Sequence, residues 1–179
     1  GHTHRWKGEF GSMESNRIAR VALALCFLGV MLISTEAFAR DPALDPCTGY
    51  GTSIVVDGAG SDLYLCRKDK SINNYSVAFG SRGLGKEKRG DKKTPLGTYR
   101  LGTPRKSVSG FHRFIPIRIP KRVGLHVGIH GPTRAARWLG PVNVMTDWTH
   151  GCIAVSSDSA IEESERFVRS YPKMKIHIL

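Results

Sequence analysis

Ser53-Ile54-Val55-Val56-Asp57-Gly58-Ala59-Gly60-Ser61-Asp62-Leu63-Tyr64-Leu65-Cys66 is the stretch on which the fold turns. β-Branched and large apolar residues at 53–57 and 62–66 suit a pleated, half-buried surface, and Gly58-Ala59-Gly60 between them suits a tight turn. Two strands joined by a turn are expected. Residues 74–79, Asn-Tyr-Ser-Val-Ala-Phe, alternate again and add a third strand, so the domain opens as a β-meander.

Working outward, residues 80–93 are rich in Gly and Lys and read as a mobile loop, and Thr94-Pro95-Leu96-Gly97 reads as a turn feeding a strand at 98–101. Residues 114–119 alternate, but Pro116 demotes them to an edge strand or a bulge because proline cannot donate to a ladder. A buried strand is expected at 125–129, with His130-Gly131 at its exit. The polar, Arg- and Trp-bearing stretch 132–149 is long for a plain connection, a length that usually signals function. A short apolar strand follows at 152–155. Residues 158–170 carry acids early and arginines late, as a helix dipole favours, and 173–179 closes the domain as a strand. Many short strands with one late helix predict a mainly β fold, sandwich-like or barrel-like, with one C-terminal helix and minor helical turns.

The ends read differently. Residues 1–12 resemble an expression-tag remnant ahead of Met13, and 13–39 a secretory signal peptide: Arg17 and Arg20, an apolar run at 21–33, then the small-x-small site Ala37-Phe38-Ala39. A membrane anchor needs about 20 apolar residues, more than that run supplies. One domain is therefore expected over 40–179, in the periplasm or cell envelope, touching the membrane only through the transient signal. The net charge of +12 suits an anionic envelope surface. Nucleic acid is not expected as a partner, since no zinc-finger, helix-turn-helix or RNP pattern is present.

Three of the four cysteines lie past the signal, at 47, 66 and 152. In an oxidising compartment two can pair and one is left over. Cys47 and Cys66 flank a strand and are the disulfide candidates, which leaves Cys152 as the free thiol. It sits in Thr149-His150-Gly151-Cys152-Ile153. A free cysteine, with a pKa near 8.5, is only a few per cent thiolate at neutral pH, so a nucleophilic role needs a base. His130, ending a different strand, is the better candidate because a base must approach the sulfur from across the site. The carbonyl of Gly131 is the nearest group that can fix its tautomer. The amides of Gly151 and Cys152 could bind an acyl oxyanion, and His150 could orient substrate or support the loop.

These residues resemble the L,D-transpeptidases with the YkuD-type catalytic domain, whose signature is a His, a spacer, then Ser/Thr-His-Gly-Cys. His130 followed by Thr149-His150-Gly151-Cys152 fits it, as does Thr94-Pro95-Leu96-Gly97-Thr98-Tyr99 upstream, and the likeness spans about residues 50–179. The resemblance implies that Cys152 is the nucleophile, His130 the base, Gly131 the orienting carbonyl, and Thr149, His150 and Gly151 the rest of the pocket. It also implies peptidoglycan stem peptides as substrate. The L,D bond before D-Ala would be attacked, and the acyl group passed to an amine of a stem or of a wall-linked protein, or to water. Ala154 stands where many members carry Asn or Arg.

Trp148, Arg134, Arg137 and His126 are further candidates to line the substrate groove. His126, His130, His150 and Cys152 are all metal-ligand types, but their spacing lacks a C-x-x-C or H-E-x-x-H pattern, so neither a metal nor another cofactor is expected.

Overall fold

The computed structural model describes residues 44–179; the tag and signal segments expected at 1–12 and 13–39 lie outside the described residues. Within them are nine strands: β1 (Ser53–Asp57), β2 (Asp62–Arg67), β3 (Lys70–Ala78), β4 (Gly97–Leu101), β5 (Arg105–Lys106), β6 (Arg113–Arg118), β7 (Gly128–His130), β8 (Ile153–Val155) and β9 (Lys175–Ile178). β1, β2 and β3 form the antiparallel meander expected from sequence. The sheet runs β4-β9-β1-β2-β3-β8-β7-β6-β5, and β4 also pairs with β6. That last pairing joins the two ends of an eight-strand run, so the sheet is closed and barrel-like, with β5 as a short addition to β6. The β1–β9 and β7–β8 pairs are parallel.

Alternation sorts the side chains. Ile54 and Val56 of β1, Leu63 and Leu65 of β2, Ile129 of β7, Ile153 of β8 and Ile176 and Ile178 of β9 share one core. The opposite face of β1 and β2 is covered too, because Cys47 packs against Val55 and Cys66, with Tyr50 and Tyr64 alongside. Two covered faces explain why 53–56 is buried throughout rather than at alternate positions. A Cys47–Cys66 disulfide, with its Cα atoms 5.4 Å apart, staples the 44–52 segment there. The loop it closes spans 19 residues in sequence, for which chain-entropy reasoning gives about 3 kcal/mol. The double variant Cys47→Ala/Cys66→Ala is therefore expected to lose stability of that order, read as a lower denaturant midpoint, with a somewhat steeper slope because the uncrosslinked unfolded chain exposes more surface.

Helix α1 (Asp158–Ser170) matches the expected span. Ser157 caps it by accepting from the Ala160 amide. Its inner stripe, Ala160, Ile161, Phe167 and Val168, joins the main core, and it packs on β6 and β8. Each fully buried large apolar side chain in that stripe contributes roughly 1.5–3 kcal/mol. Buried Glu165 pairs with Arg113 of β6 and with Arg169 one turn on. Those guanidiniums, Arg113 first, outweigh burial and hold the carboxyl below the usual range.

Four expectations are corrected. β6 is not an edge strand, for it lies between β7 and the β4/β5 pair. Proline is tolerated there because the Pro116 carbonyl accepts from the Gly102 amide. The missing N–H faces the same side, into the gap between the end of β4 and the start of β5. β7 begins only at Gly128, since His126 takes the left-handed conformation at φ 61° and breaks the expected 125–129 strand. β3 starts at Lys70, earlier than expected. Thr94 bridges Leu84 across the loop instead of opening a free turn.

Candidate active site

Parallel pairing of β7 with β8 sets His130 opposite Ala154 and Ile129 opposite Ile153. Ile129 and Ile153 point into the barrel. His130, Ala154 and, two residues before Ala154, Cys152 therefore share the outer face. Cys152 falls opposite Gly128, and His130 is its diagonal neighbour. Gly128 carries no side chain by necessity, because a Cβ there would lie 2.4 Å from Phe114 Cζ and 2.5 Å from the Ile115 oxygen.

His130 is buried, and its Nδ1 lies 2.7 Å from the Gly131 carbonyl oxygen. A carbonyl can only accept, so Nδ1 carries the hydrogen and Nε2 keeps a lone pair. Phe111 stacks on the ring with centroids 4.1 Å apart, and Trp148 meets it edge-on at 5.7 Å. Burial pushes the imidazole below its ordinary pKa, partly opposed by the Gly131 carbonyl. Cys152 is the free cysteine among the described residues. Its thiol donates to the His126 carbonyl at 3.5 Å, and no hydrogen bond joins it to His130. Burial pushes the thiol up, opposed by the Gly128 backbone amide and the Lys86 ammonium. Both shifts favour the uncharged forms, thiol and imidazole.

Both groups open on one cavity of about 140 Å³, lined also by His126, Arg105, Phe111, Phe114 and the 107–109 loop. Arg105 and that loop belong to the β5–β6 hairpin, where the Arg105 guanidinium lies over the Phe114 ring at 5.0 Å. Nothing in the local sequence marks this hairpin as part of a site; Ser107-Val108-Ser109-Gly110 has the short, Gly-ended composition of an ordinary loop.

The turn before Cys152 is fastened from several sides. Thr149 Oγ1 donates to the Cys152 carbonyl at 2.7 Å and accepts from the Gly151 amide at 3.1 Å. Thr94 Oγ1 donates to the same carbonyl at 3.3 Å while accepting from the Gly80 amide. The Gly151 amide is thereby engaged, which leaves the Cys152 amide as the turn's candidate oxyanion donor. Gly151 has φ 121°, and a Cβ on it would stand 2.7 Å from the Lys93 oxygen. Gly151→Ala is accordingly expected to shift the turn and reduce kcat/KM by about 100-fold or more, since an ångström of misplacement has that effect. It should also lower stability by roughly 1–3 kcal/mol. Kinetics and thermal melting would check both.

The remaining candidates separate. His126 lines the cavity through an exposed side chain. His150 is exposed and outside the cavity lining. Trp148 does not line it either: its Nε1 donates to the Asn143 carbonyl, and its ring backs His130. Arg137 is paired with Asp158 at 2.8 Å, and Arg134 is an exposed residue at the start of the 3-10 segment Arg134–Val144, which Thr133 caps. Ala154 is fully buried, with cross-strand Ala78, under Val144 and Trp148. Its neighbours are His130 directly across the β7–β8 pair and Trp148 on the same face, so this position bears on the base rather than on the cavity. Among the described residues no group of three or more His, Cys, Asp or Glu side chains is arranged to hold a metal. Two residues carry no mark in the sequence: Arg105, which lines the cavity, and Lys86, whose buried ammonium opposes the rise of the Cys152 thiol.

A free thiol and an imidazole with an open Nε2, facing one cavity from parallel neighbours in a closed sheet, define a β-rich domain with a candidate Cys–His pair. The chain belongs to the L,D-transpeptidase catalytic-domain family, YkuD, whose model matches residues 51–171. In fold it is similar to the helical cell shape determining protein Pgp2 of Campylobacter jejuni, with a TM-score of 0.57 and 18% identity over 76% of this chain and 51% of that one. The K307A mutant of Pgp2 gives 0.54 and 19% over 75% and 50%. The catalytic domain of the E. faecium L,D-transpeptidase gives 0.49 and 16% over 73% and 98%. The chain spans about half the length of the Campylobacter protein. No curated protein matches it in sequence.

Proposed function

We propose that this domain is an L,D-transpeptidase of bacterial peptidoglycan, with Cys152 as nucleophile and His130 as base. The observation that carries this is the shared cavity of a free thiol and a buried imidazole whose Nδ1 is committed and whose Nε2 is not. Cys152 Sγ leaves the His126 carbonyl, gives its proton to His130 Nε2 and attacks the carbonyl carbon of the L,D amide. The oxyanion is taken by the Cys152 amide. As the tetrahedral intermediate collapses, the C–N bond breaks, His130 returns the proton to the departing amine of the D-amino acid, and a thioester remains. An amine of a neighbouring stem or a wall-linked protein then attacks the thioester, losing its proton to His130 as the C–S bond breaks. Water in place of the amine gives a carboxypeptidase by the same steps. Arg105 at the cavity rim supplies the cation for a stem carboxylate. The Cys47–Cys66 disulfide supports an oxidising location such as the periplasm or envelope.

The test is incubation of the protein with purified sacculi, with muropeptides then analysed by mass. New cross-links with loss of the terminal D-amino acid are the expected result. Shortened stems alone would assign the acceptor as water, and an unchanged profile would overturn the enzyme reading in favour of a basic wall-binding module.

A further inference from the structure

The 80–93 loop, charge-rich and expected to be mobile, hides a buried ion pair. The Lys86 side chain is 3% exposed, and its Nζ lies 2.6 Å from Asp91 Oδ1. The Asp91 carboxylate also accepts from the backbone amides of Glu87, Lys88 and Lys93 at 2.9, 3.0 and 3.1 Å. Burial alone would raise the Asp91 pKa, but the Lys86 ammonium and those three amides dominate and hold the carboxyl well below its usual range. The loop is thereby cinched around one carboxylate, with the ammonium facing inward.

What it faces is the nucleophile's turn. A Cβ placed on Gly151 would be 3.5 Å from Lys86 Nζ, and one placed on Gly124 would be 2.8 Å from Lys86 Cε. The side chain is thus wedged between Gly124 and the residue preceding Cys152, and it does not line the substrate cavity. Sequestering an ammonium costs several kcal/mol before its partner compensates, and an apolar side chain of similar volume would fill the space at less cost. Packing alone therefore does not account for the charge.

We propose that Lys86, clamped by Asp91, is a positioning residue for the nucleophile: its ammonium packs beside Gly151, the residue before Cys152, and stabilises the negative charge the sulfur carries as a thiolate. This rests on the proposed nucleophilic role of Cys152. The other groups that face the sulfur are the Gly128 amide and His126 carbonyl, with His130 of β7 and Arg105 of the β5–β6 hairpin lining the same cavity. The Asp91 carboxylate is what holds the ammonium in place and cinches its loop. Removing either member of the pair should therefore move the thiol the same way, upward.

The experiment is alkylation of the full chain by iodoacetamide between about pH 6 and 10, with the adduct at Cys152 quantified by mass. Lys86→Met is expected to move the midpoint of the rate profile upward and to slow alkylation at pH 7 about tenfold, because a midpoint about one pH unit higher leaves a tenth of the thiolate. Lys86→Arg should restore most of the wild-type profile. Asp91→Asn, which releases the ammonium from its clamp, should move the midpoint upward by less than Lys86→Met does. A Lys86→Met profile superimposed on wild type, or Lys86→Arg as impaired as Lys86→Met, overturns the inference. If Lys86→Met does not fold, an Asp91→Asn midpoint at or below wild type does so. A wild-type Cys152 that resists alkylation throughout would instead sink the nucleophile reading itself.

Discussion

Cys152→Ala is expected to stop turnover altogether, with any residual rate at least about 10⁴-fold below wild type, as removal of a covalent nucleophile does elsewhere. The proposed reaction has no second path: the acyl group must reside on an atom of the protein between loss of the D-amino acid and arrival of the acceptor. No other described cysteine can substitute, because Cys47 and Cys66 are bonded to each other. The fold should hardly notice. The sulfur's polar partners are backbone groups, the His126 carbonyl and the Gly128 amide, and the residue is only partly buried, so a loss within about 1 kcal/mol is expected. Sacculus digestion followed by muropeptide mass analysis reads the activity, and the intact mass of the protein reads the adduct. Measurable release of D-amino acid by the alanine variant would place the chemistry on another residue.

The sharp dependence on one atom contrasts with the uneven legibility of the scaffold around it. α1 was readable because its signals are local: a serine cap, an acid in the first turn, an arginine in the last and an apolar stripe at helical spacing. The meander was readable for the same reason, through alternation and Gly-bearing turns. The start of β3 was not. Lys70–Asn74 is polar on both faces, and strand structure there comes from pairing with β2 rather than from propensity. β7 was overextended because Leu125 and Val127 look apolar and strand-like, whereas the chain reverses at His126 to deliver that carbonyl to the sulfur. A left-handed histidine has no sequence signature, and strained backbone at a candidate site is a natural place for local rules to fail.

The same distinction separates the residues of the site. The Cys152 turn and His130 are adjacent in meaning though not in sequence, and their residue types point to paired chemistry. Lys86, Asp91 and Arg105 sit in stretches that look like ordinary solvated charge. The packing of the 86–93 loop against Gly151, and the place of the β5–β6 hairpin along the cavity, distinguish them from ordinary surface charges. Trp148 was expected at the groove and instead stands behind the base, seated by the small pair Ala78 and Ala154.

His130→Gln is expected to reduce kcat/KM by about 10²–10⁴-fold at pH 7, the usual worth of a general base. Glutamine is polar and of similar reach, so it can fill the slot between Phe111 and Trp148 and still donate to the Gly131 carbonyl. It offers no basic lone pair to the thiol. The shape of the pH profile carries the sharper prediction. Burial lowers the wild-type imidazole, and a protonated His130 cannot act as base, so wild-type activity should fall only as pH drops below the ordinary imidazole value near 6.5. In the glutamine variant that limb disappears, and the rate must instead track thiolate formed without help. Because burial raises the Cys152 thiol, its rate should keep climbing by about a decade per pH unit beyond pH 8.5. A variant that kept the wild-type rate and the wild-type acid limb would show that the proton goes elsewhere, and the pairing of Cys152 with His130 would fail.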